Sequence, residues 1–142
     1  MNIKFVETND LLASAAITYQ NMRTYYQRYS VDWDKDKIAE QLSPLDNLDI
    51  IFNGVVVGAI RLAYDSKDCW IRDLQVEEHA QNKGIGGIAL MECERIASAN
   101  GASVLKLRVF KISPAFHLYV RSGFKVDNED DRFYYMSKAI AG

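Results

Sequence analysis

Residues 81–87, QNKGIGG, form the segment of the chain whose composition and spacing most clearly suggest chemistry. Three of the eight glycines fall at positions 84, 86 and 87, and apolar residues at helical spacing follow them. The first N–H groups of a helix have no partner within the helix, and its dipole places partial positive charge there. Glycine has no Cβ, so an anion can approach this backbone closely. The segment therefore predicts a phosphate-binding site, with close packing of the helix on a sheet as the structural alternative.

Two common phosphate-binding motifs do not account for this segment. A P-loop ends in GK[ST], whereas Lys83 precedes the glycines and no GK[ST] occurs. Residues 84–89, GIGGIA, match the dinucleotide fingerprint GxGxxA, but a polar loop, EEHAQNK, separates them from the preceding strand. That fingerprint needs a tight turn and an acidic residue about 20 positions later, where this chain has Lys106 and Arg108. A dinucleotide-binding oxidoreductase is therefore a weaker alternative.

The elements around the segment follow from apolar periodicity and turn residues. Helical spacing and cap residues predict helices at 11–22, with an N-cap among residues 8–10, and at 34–42, 84–99 and 114–123. Strands are predicted at 3–6, on both sides of Asn53-Gly54, at 69–76 and 103–110, and in FKV and RFYYMSKAI, with an acidic loop at 127–131. The aromatic segment TYYQRYSVDW is ambiguous.

This order of elements predicts an α+β fold with αβα layers. The unit 69–76, 84–99 and 103–109 is strand, helix, strand, so its two strands should be parallel neighbours. The other strands are mostly joined by hairpins. We therefore expect a mixed, mostly antiparallel sheet of six to seven strands with one central parallel pair, in a single domain over residues 1–142.

Composition and charge exclude several classes of function. The 142 residues are 49% hydrophobic and 25% charged with a net charge of −2, so no basic field favours nucleic acid or an anionic membrane. No apolar run is long enough to span a membrane, and the N-terminus lacks a signal-peptide core. Cys69 and Cys93 form no CxxC pair, and we expect both to be reduced in a cytoplasmic protein. His79 has no companions at metal spacing, so no metal is expected.

Two motifs at a defined separation resemble those of the GNAT superfamily of acetyl-CoA-dependent N-acetyltransferases. Residues 81–86, QNKGIG, resemble its Q/R-x-x-G-x-G/A signature. Ala115-Phe116-His117-Leu118-Tyr119 and Ser122-Gly123-Phe124 resemble its second signature, A-x-x-L-Y-x-x-x-G-F. The order of elements agrees along nearly the whole chain. One departure is Ile112, which stands where the family usually has an asparagine that contacts the pantetheine arm; Ser113 or a water would replace that contact, or binding would be weaker.

The resemblance implies a site for each part of acetyl-CoA. The pyrophosphate would be held by the backbone N–H groups of Gln81, Asn82, Lys83, Gly84, Ile85, Gly86 and Gly87. The pantetheine arm would pair with the strand end Leu74-Gln75-Val76, which splays from the next strand. Ser113, Phe116 and Tyr119 would complete the cofactor site, and the Val76 N–H would stabilise the developing oxyanion.

The resemblance also implies two catalytic roles, a general acid, for which one residue matches the family motif, and a general base, for which several residues are candidates. Tyr119 matches the tyrosine commonly assigned as the general acid for the thiolate. An amine must lose a proton to attack, and Asp68, Asp73 and Glu77 are candidate bases, of which Asp73 is preferred. The alternative is that Asp73 is an exposed strand carboxylate, or that it pairs with Arg72 or Arg61. Cys93 is interpreted as a core residue, and His117 as facing away from Tyr119.

The acceptor is expected to be a primary amine of unknown identity. Seven aromatic residues, of which about half should be ordinary core, could line its pocket: Tyr25, Tyr26, Tyr29, Trp33, Phe133, Tyr134 and Tyr135. The acidic loop could attract a basic acceptor or be a solvated turn. The alternative function is a non-catalytic acyl-CoA sensor on the same fold. A homodimer is compatible with free sheet edges.

Overall fold

The structure is a computed structural model, and it describes residues 2–140. The strands are β1 Ile3–Glu7, β2 Asp46–Phe52, β3 Val55–Asp65, β4 Asp68–Val76, β5 Val104–Phe110, β6 Lys125–Glu129 and β7 Phe133–Ala139. The helices are α1 Leu11–Arg28, α2 Lys35–Leu42, α3 Ile85–Ala99 and α4 Ala115–Arg121. The strands form a seven-stranded sheet in the order β1-β2-β3-β4-β5-β7-β6. The α+β fold and the mixed sheet predicted from the sequence are confirmed.

The chain forms two compact units, each of which contains part of β3 and part of β4. The first comprises residues up to Arg61 together with Asp73–Ile85, and the second comprises Leu62–Arg72 and everything from Gly86 onwards. The predicted single domain over residues 1–142 stays a prediction.

In the first unit, β1 pairs antiparallel with β2, and α1 and α2 contact each other. The predicted Asn53-Gly54 turn is present, with φ of 51° and 84° at its two central residues, which suits the right-handed twist of a hairpin. Aspartates cap both helices: the Asp10 carboxylate accepts from the Ala13 N–H at 3.0 Å, and that of Asp34 from the Lys37 N–H at 2.9 Å. Ala15, Ile38 and Leu42 form the buried centre of the α1–α2 contact.

In the second unit, β4 and β5 form the predicted parallel pair, with Asp68 opposite Val104 and Trp70 opposite Lys106. β7 pairs antiparallel with both β5 and β6. Alternate residues of this sheet are buried, including Cys69, Leu105, Leu107 and Met136. This period of two is what places one face of each strand in the core.

Two boundaries differ from the sequence prediction. The ambiguous aromatic segment begins as helix, because α1 continues to Arg28. The predicted acidic loop is mostly strand: residues 127–129 belong to β6, where Asn128 lies opposite Tyr135 and Glu129 opposite Tyr134. Pairing with β7 outweighs the low strand propensity of Asp and Asn, and only residues 130–132 form the turn.

Candidate functional site

The segment 81–87 begins where a short 3₁₀ turn, Glu78–Ala80, follows β4. Gln81–Gly84 are exposed, whereas Ile85 at the start of α3 is 1% exposed and anchors the helix. Asn82 and Gly84 both have positive φ, 61° and 82°. These two residues are in the left-handed conformation and turn the chain sharply into α3. Most residues other than glycine and asparagine would be strained in that conformation. The backbone therefore reaches a helix N-terminus through an exposed loop.

The three glycines of this segment are present for different physical reasons. Gly84 needs its positive φ. A Cβ on Gly86 would lie 2.9 Å from Leu118 Cδ2, so glycine there allows α3 and α4 to pack closely. A Cβ on Gly87 would meet nothing within 4 Å. Packing therefore explains Gly86 but not Gly87, whose bare backbone faces open space in the first turn of a helix.

The loop has side-chain attachments to the rest of the first unit. Gln81 Nε2 donates to the carbonyl oxygen of Val76 at 2.9 Å. Lys83 Nζ lies 5.9 Å from the centroid of the Phe52 ring, within cation–π range. Both contacts hold polar side chains beside the exposed backbone of the loop.

Asp73 is held by hydrogen bonds to both carboxylate oxygens. Thr18 Oγ1 donates to Oδ2 at 2.7 Å, and Gln75 Nε2 donates to Oδ1 at 2.6 Å. The pKa of Asp73 is raised from its ordinary value, because burial outweighs the two hydrogen bonds and the charge of Arg61, which lower it. Each carboxylate oxygen has two lone pairs, so two further acceptor positions exist beyond the two that Thr18 and Gln75 use.

The Asp73 network continues to the end of β4. Gln75, which is 7% exposed, accepts from Asn21 Nδ2 through Oε1 at 3.1 Å. Asn21 Nδ2 also donates to the Val76 carbonyl oxygen at 2.9 Å, the same oxygen that accepts from Gln81. The carboxylate, the strand end and the first residue of the glycine segment are thus joined by one chain of hydrogen bonds within the first unit.

Arg61 is the most unusual residue beside this network. It is 0% exposed, and its Nε, Nη1 and Nη2 atoms have no hydrogen-bond partner among the described residues. Burial lowers its pKa, and the charges of Asp73 and Asp49 raise it. Arg61 lies on β3, the strand between those that carry the two aspartates.

The other two candidate bases are paired. Glu77 Oε2 lies 2.6 Å from His79 Nε2. Asp68 Oδ2 forms an ion pair with Lys106 Nζ at 2.9 Å in the second unit. Asp73 differs from both because it is held by neutral donors with a buried cation nearby.

The second predicted motif forms α4 and the turn after it. Tyr119 is 8% exposed and its ring packs edge-on against Phe124 with centroids 5.9 Å apart. Phe116 packs against Tyr134 at 4.8 Å. Ser113 Oγ accepts from the Ala115 N–H at 3.2 Å, and that hydroxyl can still donate its own proton. His117 is exposed, in agreement with the sequence prediction.

The predicted acceptor aromatics divide between the two units. Tyr26 and Trp33 stack at 6.2 Å and border a cavity of about 80 Å³ whose lining also includes Tyr19 and Asp32. Burial, and then the charge of Asp73, raise the pKa of Tyr26 to about 12.

In the second unit, Phe133 stacks on Phe110 at 4.4 Å and lies 4.3 Å below the Arg108 guanidinium. Tyr135 donates to Asp130 at 2.7 Å. Asp130 also accepts from the N–H groups of Arg132 and Phe133, so this carboxylate closes the β6–β7 turn.

Neither cysteine has the character of a nucleophile. Cys69 and Cys93 are not joined in a disulfide, and both side chains are 0% exposed. Burial, with smaller contributions from Cys69 and Glu92, raises the pKa of the Cys93 thiol to about 12. Within residues 2–140, no three His, Cys, Asp or Glu residues are grouped to hold a metal ion, and none of the described helices is both long and apolar enough to span a membrane.

The sequence pointed to several of these residues but missed their partners. It singled out Asp73, Gln75, Val76 and Gln81, which the structure joins within the first unit. It missed Thr18 and Asn21, which are three residues apart and so share one face of α1. Arg61 was considered only as a possible partner of Asp73, although a single charged residue in the apolar run VVVGAIRLAY signals an unusual burial.

Comparison with known proteins defines the class. The model of the acetyltransferase (GNAT) family matches residues 12–124. The chain therefore belongs to the acetyltransferase (GNAT) family. It is an acyl-CoA-dependent N-acetyltransferase, which confirms the enzyme class and the co-substrate expected from the sequence.

Individual relatives extend the likeness over the full length. The chain is 25% identical to spermidine N(1)-acetyltransferase of Thermoplasma acidophilum, covering 97% of this chain and 93% of that protein. Its fold resembles PaiA N-acetyltransferase from Thermoplasma acidophilum in complex with coenzyme A, with TM-score 0.74, 23% identity and coverage of 98% and 99%. It also resembles a GNAT family acetyltransferase from Elizabethkingia anophelis with acetyl-CoA bound, with TM-score 0.73, 17% identity and coverage of 97% and 98%.

Proposed function

We propose that the protein transfers an acetyl group from acetyl-CoA to a primary amine by direct attack in a ternary complex. The observation that carries the proposal is the backbone of Gly87, which faces open space in the first turn of α3 and has no packing reason to be glycine. An N–H group in that position can bind an anionic oxygen. Gly84 and Asn82, with their positive φ, bring the preceding N–H groups to the same helix end.

Each part of the coenzyme is assigned to residues of the chain. The N–H groups of Gln81–Gly87 bind the pyrophosphate, and Lys83 adds a cationic contact. The backbone of Leu74, Gln75 and Val76 pairs with the amide-bearing arm as an added strand. Ser113, Phe116 and Tyr119 contribute the remaining contacts. Acetyl-CoA supplies an acyl group already activated as a thioester.

During the transfer the acceptor nitrogen loses two protons and the departing thiolate gains one. We assign the first loss and the gain to two residues, and the second proton leaves the nitrogen to solvent after the new bond has formed. Asp73 accepts a proton from the acceptor ammonium, directly or through a water, so that the amine nitrogen is free to bond to the acyl carbon. The Val76 N–H stabilises negative charge on the acyl oxygen. As the carbon–sulfur bond breaks, the Tyr119 hydroxyl protonates the departing thiolate. The products are an N-acetylated amine and coenzyme A.

The charges of the first unit favour a cationic acceptor. Two carboxylates, Asp49 and Asp73, act on one buried guanidinium, Arg61, so these three groups, the base Asp73 included, carry more negative than positive charge. The related protein from Thermoplasma acidophilum is a spermidine N(1)-acetyltransferase, so polyamines come first among amines to test. We expect no nucleic-acid or membrane partner. A homodimer and a cytoplasmic location stay predictions.

An alternative function is a non-catalytic acyl-CoA sensor on the same fold. Ile112, where the family usually has asparagine, is 43% exposed, and the adjacent Ser113 hydroxyl already accepts a hydrogen bond at the start of α4. Both observations weaken the contact expected for the pantetheine arm. A sensor would bind the coenzyme without turnover.

Calorimetric titration with acetyl-CoA, with NADH and ATP as controls, tests the first part of the proposal. We expect binding of acetyl-CoA alone. A thiol-release assay with spermidine, other diamines, amino acids and peptide N-termini then tests transfer. Binding with no transfer to any amine would favour the sensor, and failure to bind acetyl-CoA would refute the proposed site.

A further inference from the structure

The position of Arg61 calls for an explanation that packing does not supply. The side chain is 0% exposed, and none of its three guanidinium nitrogens has a hydrogen-bond partner among the described residues. A guanidinium stays protonated in proteins, and moving it out of water is strongly unfavourable unless opposite charges compensate. An apolar residue in the centre of β3 would avoid that cost. The charge itself is therefore the property to be explained.

The compensating charges lie on the neighbouring strands. In sheet order, β3 lies between β2, which carries Asp49, and β4, which carries Asp73. These two carboxylates are the charges that act on Arg61. Asp49 already accepts from Thr8 Oγ1 at 2.9 Å. A row of negative, positive and negative groups thus crosses three strands of the first unit.

We propose that Arg61 is a positioning residue that keeps Asp73 in its ionised, proton-accepting form for the transfer. This inference rests on the proposed role of Asp73 as the base. It adds that the competence of Asp73 depends on a cation which touches neither substrate nor cofactor.

The groups around Asp73 support this assignment. Burial is the largest influence on Asp73 and raises its pKa, which favours the protonated carboxyl, and a protonated carboxyl cannot take a proton from an amine. Thr18 on α1 and Gln75 on β4 donate to the two carboxylate oxygens, and Arg61 on β3 is the one cation among the causes that lower the pKa. Tyr26, also on α1, has a pKa raised to about 12, in part by the charge of Asp73, so its hydroxyl stays neutral at physiological pH.

The primary test is the titration of Asp73 itself. The carboxyl ¹³C resonance of Asp73 would be followed against pH in the free protein, in the wild type and in Arg61→Met. Loss of a nearby opposite charge raises a carboxyl pKa by about one unit or more, and we expect that rise. The matched control is Arg72→Met, which removes an exposed arginine adjacent to Asp73 in the chain and should leave the titration unchanged. An Asp73 titration unchanged in Arg61→Met overturns the inference.

The second readout is the pH profile of kcat/KM with the best acceptor amine. In Arg61→Met the acidic limb should move to higher pH together with the Asp73 titration. At a fixed pH on that limb, activity should fall about tenfold if the pKa of Asp73 rises by one unit, with the plateau at high pH retained. A purely structural role would lower thermal stability and leave the limb in place. If the pKa of Asp73 rises but the acidic limb of the kcat/KM profile stays in place, Asp73 is not the base, and the proposed mechanism fails together with the inference.

If Arg61→Met does not fold, Asp49→Asn tests the same inference, because it should shift the Asp73 titration in the opposite direction. An asparagine at position 49 can still accept the hydrogen bond from Thr8. The change removes one of the two negative charges that act on Arg61, so that Asp73 is then the remaining carboxylate that compensates the guanidinium. The Asp73 titration and the acidic limb should both move to lower pH. Arg61→Lys, which keeps the charge in a different shape, should lie closer to the wild type than Arg61→Met. A limb that moves upward or stays in place in Asp49→Asn overturns the inference.

Discussion

Among single changes in the glycine segment, Gly87→Ala best distinguishes a role in ligand binding from a role in folding, because we expect it to weaken binding of acetyl-CoA and to raise stability. Gly87 lies in the first turn of α3, and an added Cβ would meet no atom of the protein within 4 Å. Alanine is favoured over glycine in helices by about 0.5–1 kcal/mol. The free protein should therefore become more stable. For a chain of this length, that gain corresponds to a rise in Tm of about 1–4 °C.

The same Cβ should weaken binding of acetyl-CoA. It would stand where an anionic oxygen must approach the N–H groups of the helix end, and a hydrogen bond to a charged group contributes about 1.5–3 kcal/mol. Loss of one such bond raises Kd about tenfold to a hundredfold. Calorimetry gives the Kd, and thermal unfolding with and without acetyl-CoA gives both stabilities from the same preparation.

Two other glycines serve as controls for Gly87→Ala. In Gly86→Ala the new Cβ would meet Leu118 Cδ2 at 2.9 Å, so stability should fall. Gly101 has φ of 81° and lies after α3, so Gly101→Ala should lose stability with an unchanged Kd. An unchanged Kd in Gly87→Ala, alongside a raised Tm, would refute the assignment of this helix end to the coenzyme.

Three further outcomes are expected. Tyr119→Phe should lower kcat at least tenfold with little change in acetyl-CoA affinity, because the ring and its packing against Phe124 are kept; equal kcat across pH would remove Tyr119 from the mechanism. Gly58→Ala should destabilise the protein by about 1–3 kcal/mol or more in urea unfolding, because the new Cβ would collide with the Gln75 carbonyl oxygen; a loss below about 0.5 kcal/mol would contradict this close approach. The pKa of Cys93 is raised to about 12 from 9.0, so its contribution to stability is full below pH 9. As pH rises above 9 the unfolded chain loses this proton first, and the contribution falls by on the order of 1.4 kcal/mol per pH unit; Cys93→Ala should flatten that part of the stability profile, and an unchanged slope would contradict it.

Local sequence was sufficient for the elements and for the class of protein. Turn chemistry placed the hairpin at Asn53-Gly54, because only a few residues adopt two successive positive φ angles. Cap residues and helical spacing placed α2 and α3, and the strand–helix–strand order predicted the parallel pair. The two motifs, one around Gly84 and one around Tyr119, identified the family. Each of these signals is contained in one continuous stretch of the chain.

Only the tertiary structure determines the electrostatic environment of Asp73, the candidate base. Thr18 is 55 residues from Asp73 in the chain, and neither residue carries a local mark of that hydrogen bond. The sequence predicts that β2 and β3 form a hairpin, but it does not show that the charges of Asp49 and Asp73 both act on a buried Arg61 in the strand between them. Residues 127–129 became strand because β7 pairs with them. Solvation, charge compensation and strand pairing depend on which distant segments meet, and folding of the whole chain is what brings those segments together.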